Sequence, residues 1–141
     1  MLVSHSELLH ILREWESRYW NVEVAESRRE EDRYKVRWPV RVAVIRKTAS
    51  STIEFDEAYA VNISPSGLGV ITRYPLVGGD WCLCLLTPSA ASAPCILLGE
   101  VVWQRPVNEV FVTGLAFLAW QDDQEFDTAL DTARRDRYAT P

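Results

Sequence analysis

The sequence contains few of the residues that metal binding, disulfide pairing and redox chemistry require. Only three of its 141 residues are cysteine and two are histidine. Cys82, Cys84 and Cys95 form no CxxC pair, and an odd count excludes both a disulfide framework and a zinc site. We interpret them as buried free thiols in a reducing cytosol, and we expect the chain to bind no metal and no cofactor.

Long apolar runs are missing as well. No segment approaches the roughly 18 uncharged apolar residues of a membrane-spanning helix. Charged residues such as Glu7 and Arg13 interrupt the apolar run that a signal peptide would need near the N-terminus. There are no internal repeats or low-complexity segments, and the length is that of one domain of about 150 residues. We therefore predict a cytoplasmic globular protein that does not insert into membranes.

A catalytic centre has the least support of the functions considered. Both histidines, His5 and His10, lie in the N-terminal segment, and a spacing of five puts them on different faces of a helix. The rest of the chain has no histidine that could activate Ser64 or a cysteine as a nucleophile. The sequence therefore predicts no catalytic residues and a protein that is not an enzyme.

The chain as a whole has no excess of positive charge. Fifteen basic and twenty acidic residues give a net charge of −5, which argues against DNA, RNA and anionic membranes as partners. The charge is segregated, however. Residues 26–47 hold eight basic and four acidic side chains, so this segment carries +4 and the rest of the chain carries −9. A long polyanion should be repelled, whereas a compact dianion could bind at the basic segment.

Apolar residues at helical spacing predict an amphipathic helix over residues 4–20. Ser4 and Glu7 fit a capping box at its start. Its apolar stripe contains Leu8, Leu9, Ile11, Leu12, Trp15 and Tyr19, with Trp20 beside it. This stripe could pack on its own domain, form a homo-oligomer or dock on a protein effector. The charged segment 26–35 that follows is interpreted as a solvated linker.

From Trp38 onward, short β-type runs are separated by turn residues. The runs comprise residues 40–46, 52–61, 67–72, 81–86, 95–104 and 110–118, with residues 105–109 joining the last two. Six such runs favour a small antiparallel barrel or sandwich over alternating strands and helices.

The end of the chain becomes helical again. Asp122 can cap a helix in which Phe126, Ala129, Leu130 and Ala133 recur at helical spacing. The predicted organisation is therefore an N-terminal helix and linker over residues 1–27, a β-domain over residues 28–121, and a helix and tail over residues 122–141.

Three arginines lie at intervals of four just before and within the first β-type run. Arg33, Arg37 and Arg41 would point to one side of an extended chain, because the pleat repeats every two residues. Two such guanidinium groups can clamp a phosphate or stack on a purine, although they could equally pair with the acidic residues 30–32. The spacing leaves open whether residues 33 and 37 or residues 37 and 41 form the acting pair.

A second motif is the turn Asn-Ile-Ser-Pro-Ser-Gly at residues 62–67. Pro65 restricts φ, and Gly67 permits a positive φ or a close backbone approach. Most turns of this kind only join two strands. This one also presents the amide of Asn62 and the hydroxyl of Ser64, which can form hydrogen bonds with the edge of a nucleobase.

Together the two motifs resemble those of the PilZ domain family, bacterial receptor domains for the second messenger cyclic di-GMP. The family pattern is RxxxR before the first barrel strand and [D/N]xSxxG about twenty to thirty residues later. Arg33 and Arg37 match the first motif, and Asn62, Ser64 and Gly67 match the second, with 25 positions between Arg37 and Asn62. Residues 38–40 (Trp-Pro-Val) and 113–117 (Thr-Gly-Leu-Ala-Phe) resemble further parts of the pattern.

The resemblance, which covers about residues 28–121, implies a six-stranded antiparallel β-barrel that binds cyclic di-GMP. Arg33 and Arg37 would contact phosphate and guanine from an N-terminal arm that closes over the barrel. The ligand-binding residues carried over from the second motif are Asn62 and Ser64 at one guanine edge and Gly67 beneath the base. Arg41 and Trp38 are additional candidates.

Two other functions are compatible with the sequence. A PilZ-like protein-interaction adaptor would bind no nucleotide and would work through its aromatic helices. A small barrel that binds single-stranded nucleic acid could use Trp38 and Arg37 for stacking and charge, but the −9 carried outside the basic segment opposes a long polyanion.

Overall fold

Six strands and a C-terminal helix make up most of the regular structure of the described part of the chain. The computed structural model describes Ser6, Glu7, His10, Ile11 and Glu14, then residues 33–45, 54–88 and 93–139, with side chains as far as Arg135. The elements are β1 (Tyr34–Ile45), β2 (Asp56–Ser64), β3 (Gly67–Thr72), β4 (Trp81–Leu86), β5 (Cys95–Val107), β6 (Val110–Trp120) and α1 (Asp123–Ala139).

The six strands form a closed barrel in the order β1-β2-β3-β6-β5-β4. Every neighbouring pair is antiparallel, and β4 closes the barrel by pairing with β1 from Val40–Leu86 to Ile45–Trp81. Closure removes the free strand edges that a sandwich would retain. The predicted six-stranded antiparallel barrel is thus confirmed, and the sandwich is excluded.

Some predicted boundaries were wrong for identifiable reasons. The strands β3 and β4 have the predicted bounds, but β1 begins at Tyr34, within the segment interpreted as a linker. Pairing of Tyr34 with Ile63 and burial of its side chain outweigh the charge of its neighbours. The strand β2 begins at Asp56, whereas residues 46–53 lie outside the described part.

The hairpin between β5 and β6 is tighter than predicted. Asn108 has φ of 57°, a left-handed conformation that asparagine tolerates, and it allows a two-residue turn at positions 108–109. The ladder therefore extends to the pair Val107–Val110 and includes Pro106, which the sequence assigned to the connection. β6 likewise continues to Trp120, beyond the predicted end at residue 118.

The barrel interior and the inner face of α1 form one apolar core. Phe126, Ala129, Leu130 and Ala133 of α1 pack against inward-facing strand residues, as their helical spacing predicts. The Asp122 carboxylate accepts a hydrogen bond from the Glu125 backbone N–H at 2.9 Å, which confirms the predicted N-cap.

A second apolar cluster covers the outer face of β1, β4 and β5, and Ile11 is buried in it at 9% exposure. This residue therefore packs on the chain's own barrel. Ser6, Glu7, His10, Ile11 and Glu14 all have helical backbone. The other residues of the predicted helix over 4–20, including its aromatic side chains, lie outside the described residues.

The three cysteines are free and buried, as predicted. Burial raises the pKa of the Cys82 and Cys95 thiols to about 12 and that of the Cys84 thiol well above its ordinary value. They are therefore protonated at neutral pH and unsuited to act as nucleophiles. Within the described ranges, no three His, Cys, Asp or Glu residues cluster in a way that could hold a metal ion. In that same part of the chain, no helix has the length and apolar character needed to cross a bilayer.

Candidate ligand-binding site

Two β-bulges direct side chains to the outer surface of the barrel. In β2, Ala60 pairs with Val70 and Asn62 pairs with Gly69, so Val61 is an extra residue in this strand. In β5, Val102 is the extra residue between the pairs Val101–Leu115 and Trp103–Gly114. A bulge interrupts the inward–outward alternation. Asn62 and Trp103 consequently face outward, although regular alternation from the buried Ala60 and Val101 would turn both inward.

One row of residues crosses four strands between these bulges. Asn62 pairs with Gly69, Gly69 with Gly114, and Gly114 with Trp103. A Cβ on Gly69 would lie 2.5 Å from Nδ2 of Asn62, and a Cβ on Gly114 would overlap the indole of Trp103. The two glycines therefore make room for the Asn62 amide and the Trp103 indole to lie over the sheet, and only glycine fits there without displacing them.

A cavity of about 560 Å³ opens on this surface. Its described lining combines cationic, amide, aromatic and aliphatic side chains: Arg33, Val61, Asn62, Ile71, Trp103, Arg105 and Val112. Nη1 of Arg33 donates a hydrogen bond to Oδ1 of Asn62 at 2.9 Å. At the other wall, the Arg105 guanidinium lies 6.0 Å from the ring centroid of Trp103.

The cavity suits an anionic ligand with a flat polar ring. Among its described lining residues two are cationic and none is acidic, so the local charge is opposite in sign to that of the whole chain. The guanidinium groups can bind phosphate, the Asn62 amide can form hydrogen bonds with a ring edge, and the Trp103 indole offers an aromatic face.

The other predicted arginines and Trp38 lie elsewhere. Arg37 and Arg41 are exposed on β1 and are not among the described residues that line the cavity. The Arg41 guanidinium lies 5.2 Å from the Phe55 ring centroid. Trp38 is 5% exposed in the barrel core, so its indole does not reach the cavity. Of the three candidate arginines, the structure therefore brings only Arg33 to Asn62.

Ser64 and Gly67 shape the turn that precedes β3. Ser64 is 1% exposed, and its Oγ accepts a hydrogen bond from the Ser66 backbone N–H at 3.3 Å. The Ser66 carbonyl in turn accepts the Phe117 N–H at 2.9 Å, which attaches the turn to β6. A Cβ on Gly67 would lie 2.5 Å from the Leu115 carbonyl oxygen, so glycine is required where these strands meet. Neither Ser64 nor Gly67 is among the described residues that line the cavity.

Sequence reasoning missed Trp103 and Arg105. Their spacing of two places them on one face of a strand, and this spacing is the only signal that the sequence offers. Two features decide that they face Asn62. One is the bulge at Val102, and the other is the barrel order, in which β3 and β6 lie between β5 and β2, the strand that carries Asn62.

Comparisons with known proteins identify the fold independently. The family model described as PilZ domain matches residues 27–130. The solved structure of the Bacillus subtilis inhibitor of motility MotI/DgrA superimposes with a TM-score of 0.60 at 15% identity, covering 82% of this chain and 54% of that one. MrkH, described as a c-di-GMP-dependent transcription regulatory factor, gives a TM-score of 0.52 at 13% identity, with 81% of this chain and 52% of that chain covered.

The PilZ domain of YcgR from Escherichia coli, solved with c-di-GMP, gives a TM-score of 0.49 at 15% identity and covers 80% of this chain and 91% of that one. This chain spans about half the length of MotI/DgrA and MrkH. A comparison with curated proteins gave no significant match. At identities of 15% and 13%, the comparisons with MotI/DgrA and MrkH show a shared fold.

Proposed function

The chain belongs to the PilZ domain family, and we propose that it is a bacterial receptor for cyclic di-GMP which binds this nucleotide in the cavity beside Asn62. PilZ domains serve as receptor or adaptor modules rather than enzymes. Cyclic di-GMP carries two guanines and two phosphates, which match the amide, aromatic and cationic groups of the cavity. The proposed setting is the bacterial cytoplasm.

The observation that carries this proposal is the hydrogen bond between Arg33 and Asn62. These two residues belong to different motifs and lie 29 positions apart in the chain, and Nη1 of Arg33 is 2.9 Å from Oδ1 of Asn62. In the proposed complex, the Arg33 guanidinium binds a phosphate and the Asn62 side-chain amide binds a guanine edge. Ser64 and Gly67 hold the turn that positions Asn62, and Arg37 joins the site from the exposed side of β1.

Calorimetric titration of the full chain with cyclic di-GMP tests the receptor function. We expect saturable binding in the micromolar range or tighter, and much weaker binding of GMP, which offers one base and one phosphate. Arg73→Ala is the matched control, because Arg73 is exposed and is not among the described cavity residues. Heats that stay flat up to high ligand concentration would refute the receptor and favour the protein-interaction adaptor.

The proposed signal is closure of the segment that precedes β1. Arg33 directly precedes Tyr34, the first residue of β1. A ligand bound to Arg33 would therefore contact the chain at the point where it enters the barrel. Closure over the cavity would also reposition the N-terminal helix, to which an effector could respond.

Hydrogen exchange measured by mass spectrometry tests this closure. We expect saturating cyclic di-GMP to slow exchange in peptides from residues 20–40, because closure over the ligand would shield the amides of this segment from solvent. Peptides from β4 serve as the internal control, since that strand is fully paired and lies away from the cavity. Unchanged exchange in residues 20–40, under conditions where calorimetry shows saturation, would contradict arm closure but not binding.

A further inference from the structure

A contact between α1 and the first residue of β1 links the C-terminal helix to the candidate site. We infer that Arg134 is a positioning residue for Arg33: it anchors Tyr34, and the anchored backbone holds the Arg33 guanidinium at the cavity. This inference rests on the proposed function and deepens it, since it makes cyclic di-GMP affinity depend on the docking of α1.

The Arg134 guanidinium connects α1 with β1. Its Nε donates a hydrogen bond to Oη of Tyr34 at 3.0 Å, and the guanidinium carbon lies 5.6 Å from the centroid of the same ring. Its Nη1 forms a salt bridge with Oδ1 of Asp131, one turn earlier in α1, at 3.0 Å. A planar guanidinium that is bonded through two of its nitrogens has little freedom to rotate. It therefore fixes the hydroxyl end of Tyr34 relative to the helix.

The backbone ladder alone holds the start of β1 only weakly. Tyr34 pairs with Ile63 and Lys35 pairs with Asn62, but the register then shifts, and pairing resumes at Trp38. A bulge disrupts the ladder locally, so these first two pairs gain little support from the rest of the strand. Burial of the Tyr34 ring, which is 8% exposed, and its hydrogen bond to α1 supply a second attachment.

Arg33 and Tyr34 carry this attachment to the cavity. Consecutive residues of an extended chain point to opposite sides. The Tyr34 side chain belongs to the apolar core that includes α1, whereas Arg33 lines the cavity and reaches Oδ1 of Asn62 at 2.9 Å. If Tyr34 loses its anchor, the neighbouring Arg33 backbone gains conformational freedom that ligand binding must remove, and affinity falls.

Thermodynamic linkage makes this coupling reciprocal. A ligand bound at Arg33 must stabilise the docking of α1 by the same factor by which docked α1 strengthens binding. We therefore expect saturating cyclic di-GMP to slow hydrogen exchange in peptides from residues 123–135 of the wild type. This protection should shrink in Tyr34→Phe, in which the hydrogen bond to Arg134 is absent.

Calorimetric titration with cyclic di-GMP tests the inference on two variants. Tyr34→Phe removes the hydroxyl and keeps the ring, and Arg134→Ala removes the guanidinium without lowering helix propensity. Loss of one hydrogen bond corresponds to about 2- to 12-fold in an equilibrium constant, and we expect each variant to bind more weakly within that range. Arg135→Ala is the matched control, because Arg135 is exposed and donates a hydrogen bond to Thr132 of the same helix. Its affinity should stay within about 2-fold of the wild type.

A second background distinguishes positioning from a purely structural role. If Arg134 acts through Arg33, Arg134→Ala should weaken binding in the wild type and have no further effect once Arg33→Ala is present. A residue that only stabilises the fold would instead lower the unfolding temperature and leave the affinity of the folded protein unchanged.

The outcomes separate this inference from the receptor function. If Tyr34→Phe and Arg134→Ala keep wild-type affinity while Arg33→Ala loses it, the positioning role is refuted and the receptor stands. Equal losses from Arg134→Ala with and without Arg33 would also refute it, since α1 would then act by another route. If the wild type binds no cyclic di-GMP, the receptor itself is refuted, and the positioning role with it. Should Arg134→Ala fail to fold, Tyr34→Phe in both backgrounds decides the outcome.

Discussion

Replacing Arg33 with alanine is expected to weaken cyclic di-GMP binding by about 10- to 150-fold. A hydrogen bond to a charged group contributes about 1.5–3 kcal/mol, which corresponds to that range of affinity. The substitution also removes the donor that now orients the Asn62 amide at 2.9 Å. Calorimetric titration of the variant, with Arg73→Ala as the matched control, measures the effect.

A double-mutant cycle shows whether Arg33 and Asn62 act as one unit. Side chains that share a hydrogen bond couple, whereas distant sites add to within about 0.3–0.5 kcal/mol. We expect Arg33→Ala and Asn62→Ala to be non-additive in binding free energy, and Arg33→Ala and Arg73→Ala to be additive. Strict additivity of the first pair would show that their contact is not used in the complex.

The same measurements decide which arginine pair the ligand uses. Arg41 lies over the Phe55 ring and is not among the described cavity residues, so Arg41→Ala should retain wild-type affinity. If Arg41→Ala loses cyclic di-GMP affinity while Arg33→Ala retains it, the ligand uses residues 37 and 41, and the proposed location of the site is wrong.

Replacing Phe126 with alanine is expected to lower the free energy of unfolding by about 3–5 kcal/mol, the usual cost of truncating a buried phenylalanine. Phe126 is 4% exposed. Its ring stacks on Trp120 with centroids 4.2 Å apart and packs edge-on against Phe117 at 5.3 Å. The variant therefore loses both buried area and two aromatic pairs. Urea unfolding monitored by circular dichroism measures the change.

Controls for this prediction come from the same helix. Asp127 is exposed one position further on, and Asp127→Ala should stay within about 0.5 kcal/mol of the wild type. Phe126→Leu should lose an intermediate amount and keeps the comparison measurable if the alanine variant does not fold. A loss below about 1 kcal/mol for Phe126→Ala would mean that α1 docks only weakly on the barrel.

The helix α1 also reaches the start of β1, where the candidate site begins. Nε of Arg134 donates a hydrogen bond to Oη of Tyr34 at 3.0 Å, and its guanidinium lies 5.6 Å from the centre of the same ring. Tyr34 directly follows Arg33. Packing of the helix thus supports Tyr34, the neighbour of the proposed phosphate-binding residue Arg33. A substitution that weakens this packing should therefore lower ligand affinity as well as stability.

Much of the fold could be predicted from local patterns. The bounds of β3 and β4, the number of strands and the cap at Asp122 follow from alternation and from turn and capping residues, which act over a few positions. Charge segregation and motif spacing likewise pointed to Arg33 and Asn62. These features are local in the chain, and the sequence by itself determined them.

The other half of the site depended on tertiary structure. Regular alternation would turn Asn62 and Trp103 into the core, and only the bulges at Val61 and Val102 direct both outward. The order β2-β3-β6-β5 then sets Trp103 opposite Asn62 across two glycines, although 41 positions separate them in the chain. Conversely, Trp38 stands beside Arg37 in sequence but packs inside the barrel. A strand pattern states which residues alternate, but the hydrogen-bond register between strands decides which of them meet.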